Sequence, residues 1–392
     1  MNIAVVGLGN LGWQVAQFYA QASVNYNVYG YDVDQDRLAS LRAQASPVHI
    51  CDSLEDCVGV CSVIVILVPV KMLGEDQPDL TKLYAAVDAL ALCMPDGALV
   101  ILESTVPVGT TANVHLRFRE LGVNKFNLAY SPERVSVDRV KQGMLGWPKV
   151  ISAISLLGLD RVEQFYTALG CNTLRMTSPE AAELVKIAEG VYRQVNIGIA
   201  SELSALAYKL RLNFDEIRAA ANSQPYCKLL TPTLGIDGYC IPLYYKFINS
   251  QLGWMSQEVI LLNRSVRLSD LYTALSGFQD KTILLLGMAY RPNVAVVGQS
   301  IREIADMLAL NCKEILVCDP LFSTEARAEL GTPIRRKDLP KTVDAIIIGS
   351  WHDVFKDVKL PETQAVLDCR SALTEDANWA KIFGSNVVYI PA

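Results

Sequence analysis

The sequence has no cysteine pair in CxxC spacing, no excess of lysine and arginine over acid, and no apolar run long enough to cross a membrane. Each absence removes a class of function. Phosphate backbones are bound by concentrated positive charge, whereas this chain has a formal net charge of −6, which argues against a nucleic-acid surface. The most apolar stretch, Val63 to Val70 (VIVILVPV), falls far short of the roughly 20 residues that span a bilayer and reads as a buried parallel strand. A strand pattern begins at the N-terminus with no signal-peptide pattern before it, so the expected location is cytoplasmic, with no membrane partner. The ten cysteines are scattered. Cys51, Cys57 and Cys61 with nearby His49 lack the paired spacing of a zinc site, so the expectation is reduced, mostly buried thiols and no metal.

What is present is a globular composition, with 51% hydrophobic and 19% charged residues over 392 positions, enough for two or three domains each with its own core. The first part of the chain alternates apolar runs with helix-period segments, the pattern of a parallel sheet covered by helices. Strands are expected at Ile3–Val6, Val28–Tyr31, Val63–Leu67, Ala98–Leu102, Phe126–Tyr130 and Val150–Ile154. From Pro179 the pattern becomes one apolar stripe at spacings of three and four (Leu184, Ile187, Ala188, Val191, Val195, Ile199, Leu203, Leu206), which predicts a single long helix ending near Leu210. More helix is expected at Phe214–Ala221 and Gln257–Leu275. Short apolar strands return with ILLLGMAYRPN, EILVCDP, VDAIIIGS, AVLDC and NVVYI. The expected class is α/β, with two Rossmann-like doubly wound domains (1–175 and 276–392) joined by a central helical domain (176–275) that carries a long connecting helix. Gly287 with Asp319 weakly echoes Gly7 with Asp32, so the two ends read as related units.

The run IAVVGLGNLGWQVAQ is strand, glycine loop and helix. Gly7 permits a tight turn, Gly9 lets the backbone approach a pyrophosphate, and Gly12 lets helix pack on strand, while the helix N-terminus offers unpaired N–H groups near Leu11. Asp32 closes the next strand, 20 residues after Gly12, where a carboxylate accepts from ribose hydroxyls and repels a 2′-phosphate. Strand, loop, helix and acid together predict NAD as cofactor. Three further segments are open to two readings. ESTVPVGT (Glu103–Thr110) follows a strand end, where doubly wound folds place ligands, or is an ordinary turn with a helix cap. SPERV puts Glu133 after another strand end, as a base or water-positioning group or as a solvated loop acid. TPTLGIDGYCIP puts Cys240 in a Gly- and Pro-punctuated loop, as a nucleophile that adds to an aldehyde or as a buried thiol.

Taken in order, GLGNLG, STVPVGT, SPERV, ELVKIAEGVYRQVNIGIASELS, GxxGYCIP and AYRPN resemble the signatures of the UDP-glucose/GDP-mannose 6-dehydrogenase superfamily. The SPERV, VNI and CIP variants are most similar to its UDP-N-acetylhexosamine branch. The resemblance covers nearly the whole chain. It implies oxidation of the C6 primary alcohol of a nucleotide sugar to a carboxylate in two hydride transfers to NAD, through a thiohemiacetal and a thioester on Cys240. It implies water binding by Thr105 and Glu133 and oxyanion stabilisation by Lys186. Arg264, Gly235, Arg291 and Lys186 are expected at the substrate, and Arg370 (in LDCR) and Thr105 beside the cofactor. The long helix implies a homodimer.

The sequence departs from that pattern at several positions. The family's aspartate four residues after the cysteine is Tyr244, its asparagine four residues after the lysine is Gly190, its glycine three before the cysteine is Asp237, and its polar DD-x-R stretch is Ala295, Val296, Val297 and Gly298. Two alternatives therefore stand beside the full reaction: a two-electron dehydrogenase of another nucleotide-linked alcohol, and a non-catalytic nucleotide-sugar or NAD-binding protein.

Overall fold

The computed structural model describes residues 1–22, 26–73, 77–135, 139–233, 235, 241–247, 263–370, 373 and 387–391, with backbone alone at 241, 242, 245 and 263–267. It divides into two compact units, residues 1–189 with 243–250 and residues 190–242 with 251–392.

In the first unit the strands are β1 (Asn2–Val6), β2 (Asn27–Tyr31), β3 (His49–Ile50), β4 (Val63–Ile66), β5 (Lys71–Leu73), β6 (Gln77–Asp79), β7 (Ala98–Leu102), β8 (Phe126–Tyr130), β9 (Lys149–Ala153) and β10 (Thr173–Arg175). Eight form one sheet in the order β10-β9-β8-β7-β4-β1-β2-β3, and β5 and β6 form a separate hairpin. Every residue of β4 and β7 is buried. Both faces of the sheet are covered there, which is why these strands read as unbroken apolar runs rather than alternating ones. The helix Asn10–Ala20 buries Trp13, Val15, Ala16 and Tyr19 in the core that includes Ile3, Val5, Val65 and Ile101. Burial of each aliphatic side chain of this size contributes about 1.5–3 kcal/mol.

One pairing breaks the parallel pattern. β9 runs antiparallel to β8, with Ala129 opposite Ala153 and Tyr130 opposite Ser152. The first residue of β9, Lys149, is thereby delivered to the edge where β8 ends and SPERV begins.

The predicted long helix spans Pro179–Lys209, and Phe214–Ala221 is helical as expected. No helix among the described residues is long and apolar enough to cross a membrane.

The second unit contains β11 (Thr282–Leu286), β12 (Glu314–Cys318), β13 (Thr332–Pro333), β14 (Ala345–Ile348), β15 (Ala365–Asp368) and β16 (Val388–Pro391). They form one sheet in the order β13-β12-β11-β14-β15-β16, parallel throughout. The helix Gln299–Ala309 buries Ile301, Ile304, Ala305 and Leu308, a stripe at spacings of three and four packed on the sheet core.

Candidate functional site

The three loop glycines differ in what a side chain would meet. Gly7 has φ +99°, in the left-handed region that glycine adopts without strain. A Cβ on Gly12 would fall 1.9 Å from the Gly7 carbonyl oxygen, whereas a Cβ on Gly9 would meet nothing within 4 Å. The first makes the turn, the third lets helix meet strand, and the second faces open space. The helix beginning at Asn10 has no side-chain cap and no acid in its first turn, so its N-terminal amides are left for an anion. These features fit the pyrophosphate of a dinucleotide. Half-buried Asp32 accepts at Oδ2 from the Leu8 amide (2.7 Å) and at Oδ1 from the Asp34 amide (3.1 Å), and the Arg37 Nε donates to the Leu8 carbonyl at 2.9 Å. The acid expected at the ribose therefore also fixes the glycine loop.

At the same sheet edge, the loops after β7 and β8 are tied to the start of the long helix by two acids placed symmetrically about Lys186. Glu183 accepts from the Gly109 amide at 2.6 Å, the Thr111 amide at 2.8 Å and the Thr111 hydroxyl at 2.6 Å. Glu189 accepts from Arg134 Nε at 2.7 Å. Three residues on either side of Lys186, they share its helix face, and they hold that face to the loop carrying Thr105 and to SPERV. Lys186 is 6% exposed, and its ammonium donates to the main-chain carbonyl of Glu133. The Tyr244 ring lies beneath it, with the nitrogen 5.6 Å from the ring centroid. Burial pushes the neighbouring Tyr130 phenol well up, with Glu183 and then Tyr244 adding to the rise. Burial also raises the Glu183 carboxyl, against the hydrogen bonds from Thr111 and Gly109.

The Glu133 carboxylate is already engaged. Oε1 accepts from the amides of Arg134 (2.8 Å) and Val135 (3.1 Å), and Oε2 from Lys149 Nζ (2.6 Å). Lys149 also reaches Glu103 Oε1 at 3.0 Å, which accepts from Tyr19 at 2.8 Å and from Tyr166. Burial pulls the Lys149 ammonium down, but Glu103 and Glu133 together outweigh it and the net shift is upward. This buried cluster joins β7, β8, β9 and two helices beneath the loops. Sequence reasoning missed it, along with Glu183 and Glu189. For the two helix acids a signal was present, since ELVKIAE spaces acid, lysine and acid by three, but that spacing also suits a solvated helix face.

Thr105 is half-buried between Ser104, whose hydroxyl donates to the Val68 carbonyl at 2.8 Å, and fully buried Val106. The first unit thus brings Thr105, Glu133 and Lys186 onto three linked segments. Gly190 lies within the long helix and supplies no side chain.

In the second unit the expected echo of the glycine loop is present in its hydrogen bonds. The Met288 amide donates to Asp319 Oδ2 at 2.7 Å, as Leu8 does to Asp32, and Gly287 has φ +76°. A Cβ on Gly287 would fall 2.0 Å from the Ser350 carbonyl oxygen, as one on Gly7 would fall 2.5 Å from that of Leu67; here, though, fully buried His352 lies 3.0 Å from Asp319 through Nε2. The Asn293 amide donates to His352 Nδ1 at 2.9 Å, so the hydrogen-bond pattern assigns the ring proton to Nε2. This contact holds the AYRPN loop, where half-buried Arg291 lies over the Tyr290 ring at 5.4 Å. The Ala295–Gly298 stretch closes back on that loop through Tyr290 N–H to Val296 O and Gly298 N–H to Met288 O. Arg370 is half-buried at the end of β15, its amide donating to Asp368 at 3.1 Å. Gly235 is buried with φ +81°. Cys240 and Asp237 lie outside the described residues, and of Arg264 only the helical backbone (Asn263–Ala274) is described.

Comparison with known proteins agrees with this geometry. The NAD binding domain of the UDP-glucose/GDP-mannose dehydrogenase family matches residues 1–169, and the central domain of the same family matches residues 180–267. The chain is 28% identical to UDP-N-acetyl-D-mannosamine dehydrogenase of Pyrococcus horikoshii, over 96% of each chain. The structure of the UDP-D-ManNAc dehydrogenase from that organism superposes with a TM-score of 0.88 at 25% identity, covering 100% of this chain and 99% of the other. A UDP-glucose dehydrogenase structure from Pyrobaculum islandicum shares the fold, with a TM-score of 0.86 at 24% identity and coverage of 99% and 96%.

Proposed function

Because this chain belongs to the UDP-glucose/GDP-mannose dehydrogenase family, we propose that it oxidises the C6 primary alcohol of a UDP-linked N-acetylhexosamine to the uronic acid with NAD. NAD supplies the hydride acceptor. The residues of the chain bind it through the Gly7-Gly9-Gly12 loop, the amide end of the helix near Leu11, and Asp32, with Thr105 and Arg370 beside it. Lys186 is the fixed cation that stabilises the alkoxide and later the tetrahedral oxyanion, a role suited to a charge held in a dry pocket. Cys240 is the nucleophile that holds the aldehyde as a thiohemiacetal and, after the second oxidation, the acyl group as a thioester. Thr105 and Glu133 position the hydrolytic water, while Gly235, Arg264 and Arg291 contact the substrate. The chain is proposed to act as a homodimer. Supporting this are Ile199, Leu203 and Leu206, which lie along the long helix with 39–51% exposure.

The observation that carries the reading is Lys186, buried and braced by Glu183 and Glu189 between the loops bearing Thr105 and Glu133. Its test is NADH formation by the full chain with NAD and UDP-N-acetyl-D-mannosamine, with UDP-glucose and GDP-mannose as comparators. Turnover with the acetylated sugar supports the proposal, and NADH from none of the three rejects it. A second reading, a two-electron oxidation ending at the aldehyde level, is favoured by one observation. An aromatic ring, that of Tyr244, packs against Lys186 where the family resemblance places a carboxylate.

A further inference from the structure

Lys186 and Tyr244 are both in the first unit, 6% and 2% exposed. An ammonium taken out of water is costly unless fixed dipoles or charges replace its hydration. Among the described residues, two groups do so on different terms. The Glu133 carbonyl accepts one N–H, which fixes direction. The Tyr244 ring, its centroid 5.6 Å from Nζ, presents a negative π-face within the roughly 6 Å over which a cation is held, most strongly where both partners are desolvated. The neighbouring acids have these partners among the described residues. The Glu133 carboxylate faces Lys149 and two amides, Glu183 faces Gly109 and Thr111, and Glu189 faces Arg134.

We propose that Tyr244 is a positioning residue for Lys186, its ring face holding the ammonium charged and aimed beside the Glu133 carbonyl. The proposal deepens the reading of Lys186 as the oxyanion-stabilising cation. The ring is its essential part, and the hydroxyl is not. A cation held this way keeps its full charge for a developing oxyanion, because a π-face satisfies an ammonium without neutralising it. Among the described residues, the titratable groups around it are Glu183 and Glu189 on its own helix, Tyr130, Glu133 and Arg134 at or after the end of β8, and Tyr244 itself.

The test replaces Tyr244 with Phe, with Leu, and with phenylalanines carrying increasing numbers of ring fluorines, which keep the shape while draining the π-face. Two readouts are taken on the full chain. The first is kcat and KM for NADH formation from UDP-N-acetyl-D-mannosamine. The second is the pH dependence of competitive acetylation of Lys186, followed by peptide mass spectrometry. The expected result is that Y244F stays within about twofold of the parent in kcat, whereas Y244L and the most fluorinated ring lose on the order of tenfold in kcat with little change in KM. The apparent pKa of Lys186 falls by about one unit in the same two variants and not in Y244F. Equal losses in Y244F and Y244L, or no dependence on fluorination in either readout, would overturn the proposal. Absence of NADH formation by the parent protein would instead reject the functional reading, and the acetylation profile would still decide the role of Tyr244. The fluorinated series also decides the matter if Y244L fails to fold, since its members are nearly isosteric with the parent ring.

Discussion

The ammonium of Lys149 lies 2.6 Å from Oε2 of Glu133, and the contact exists because β9 runs antiparallel to β8 and returns its first residue to the edge where β8 ends. Lys149 and Glu133 are 4% and 3% exposed, so the pair is enclosed. It fixes the turn whose carbonyl receives Lys186. A link therefore runs from a strand direction to the aim of a proposed catalytic cation.

Removing Lys149 leaves two buried carboxylates, Glu103 and Glu133, without their shared counter-ion. K149M is expected to destabilise the first unit by roughly 3–5 kcal/mol, the usual cost of breaking a buried pair from one side. Urea unfolding followed by far-UV circular dichroism measures this. A loss within the range of an exposed pair, below about 1 kcal/mol, would show that the cluster is hydrated in solution.

Glu103 gives the fold a pH dependence of definite sign. Burial pushes its carboxyl up, against the pull of Lys149 and with a further push from Glu133. The folded chain then holds a proton at pH values where the unfolded chain has lost it. That contribution to stability is complete below the unfolded value near ~4.3 and is lost as pH rises through the raised folded value. Urea midpoints measured across this window should decline more steeply with pH in the parent than in E103Q. Parallel profiles would contradict the assignment.

Glu183 acts at a distance from the chemistry. E183Q keeps one accepting oxygen but turns an amide N–H₂ toward the Gly109 or Thr111 donors, at an expected cost of roughly 1.5–3 kcal/mol. Because the long helix would no longer be fixed to the Thr105 loop, kcat should fall by about tenfold or more while NAD affinity, set at the glycine loop, holds. Steady-state kinetics with calorimetric titration of NAD separates the two. A loss of NAD affinity with unchanged kcat would mean that Glu183 serves the cofactor site.

The second unit makes a spectroscopic prediction. His352 accepts from the Asn293 amide through Nδ1 and lies against Asp319 through Nε2, so long-range ¹H–¹⁵N correlation spectra should show the neutral ring with its proton on Nε2. The D319N variant should loosen the AYRPN loop, seen as faster amide exchange at Asn293. A proton on Nδ1 would require a different arrangement of that loop.

The glycine-loop geometry was legible because its determinants are local. Gly7, Gly9 and Gly12 act through φ, open space and close approach, and Asp32 through a position one strand away. The long helix was legible from its apolar period, within a residue of its observed end. The Lys149 cluster was not, because residues 19, 103, 133, 149 and 166 meet only through sheet order and through the one antiparallel pairing. Nothing in the neighbourhood of Lys149 along the chain marks it as buried. Tyr244 reads in sequence as the loss of a carboxylate, and only the fold shows that its ring lies against Lys186.

The most direct measurement of the central claim is the number of NADH molecules formed per molecule of UDP-N-acetyl-D-mannosamine consumed, taken on the parent protein and on C240S. Two NADH per uronic acid are expected in the parent, and loss of complete oxidation in C240S. One NADH per sugar with an aldehyde-level product, or complete oxidation that survives without the thiol, would contradict the claim.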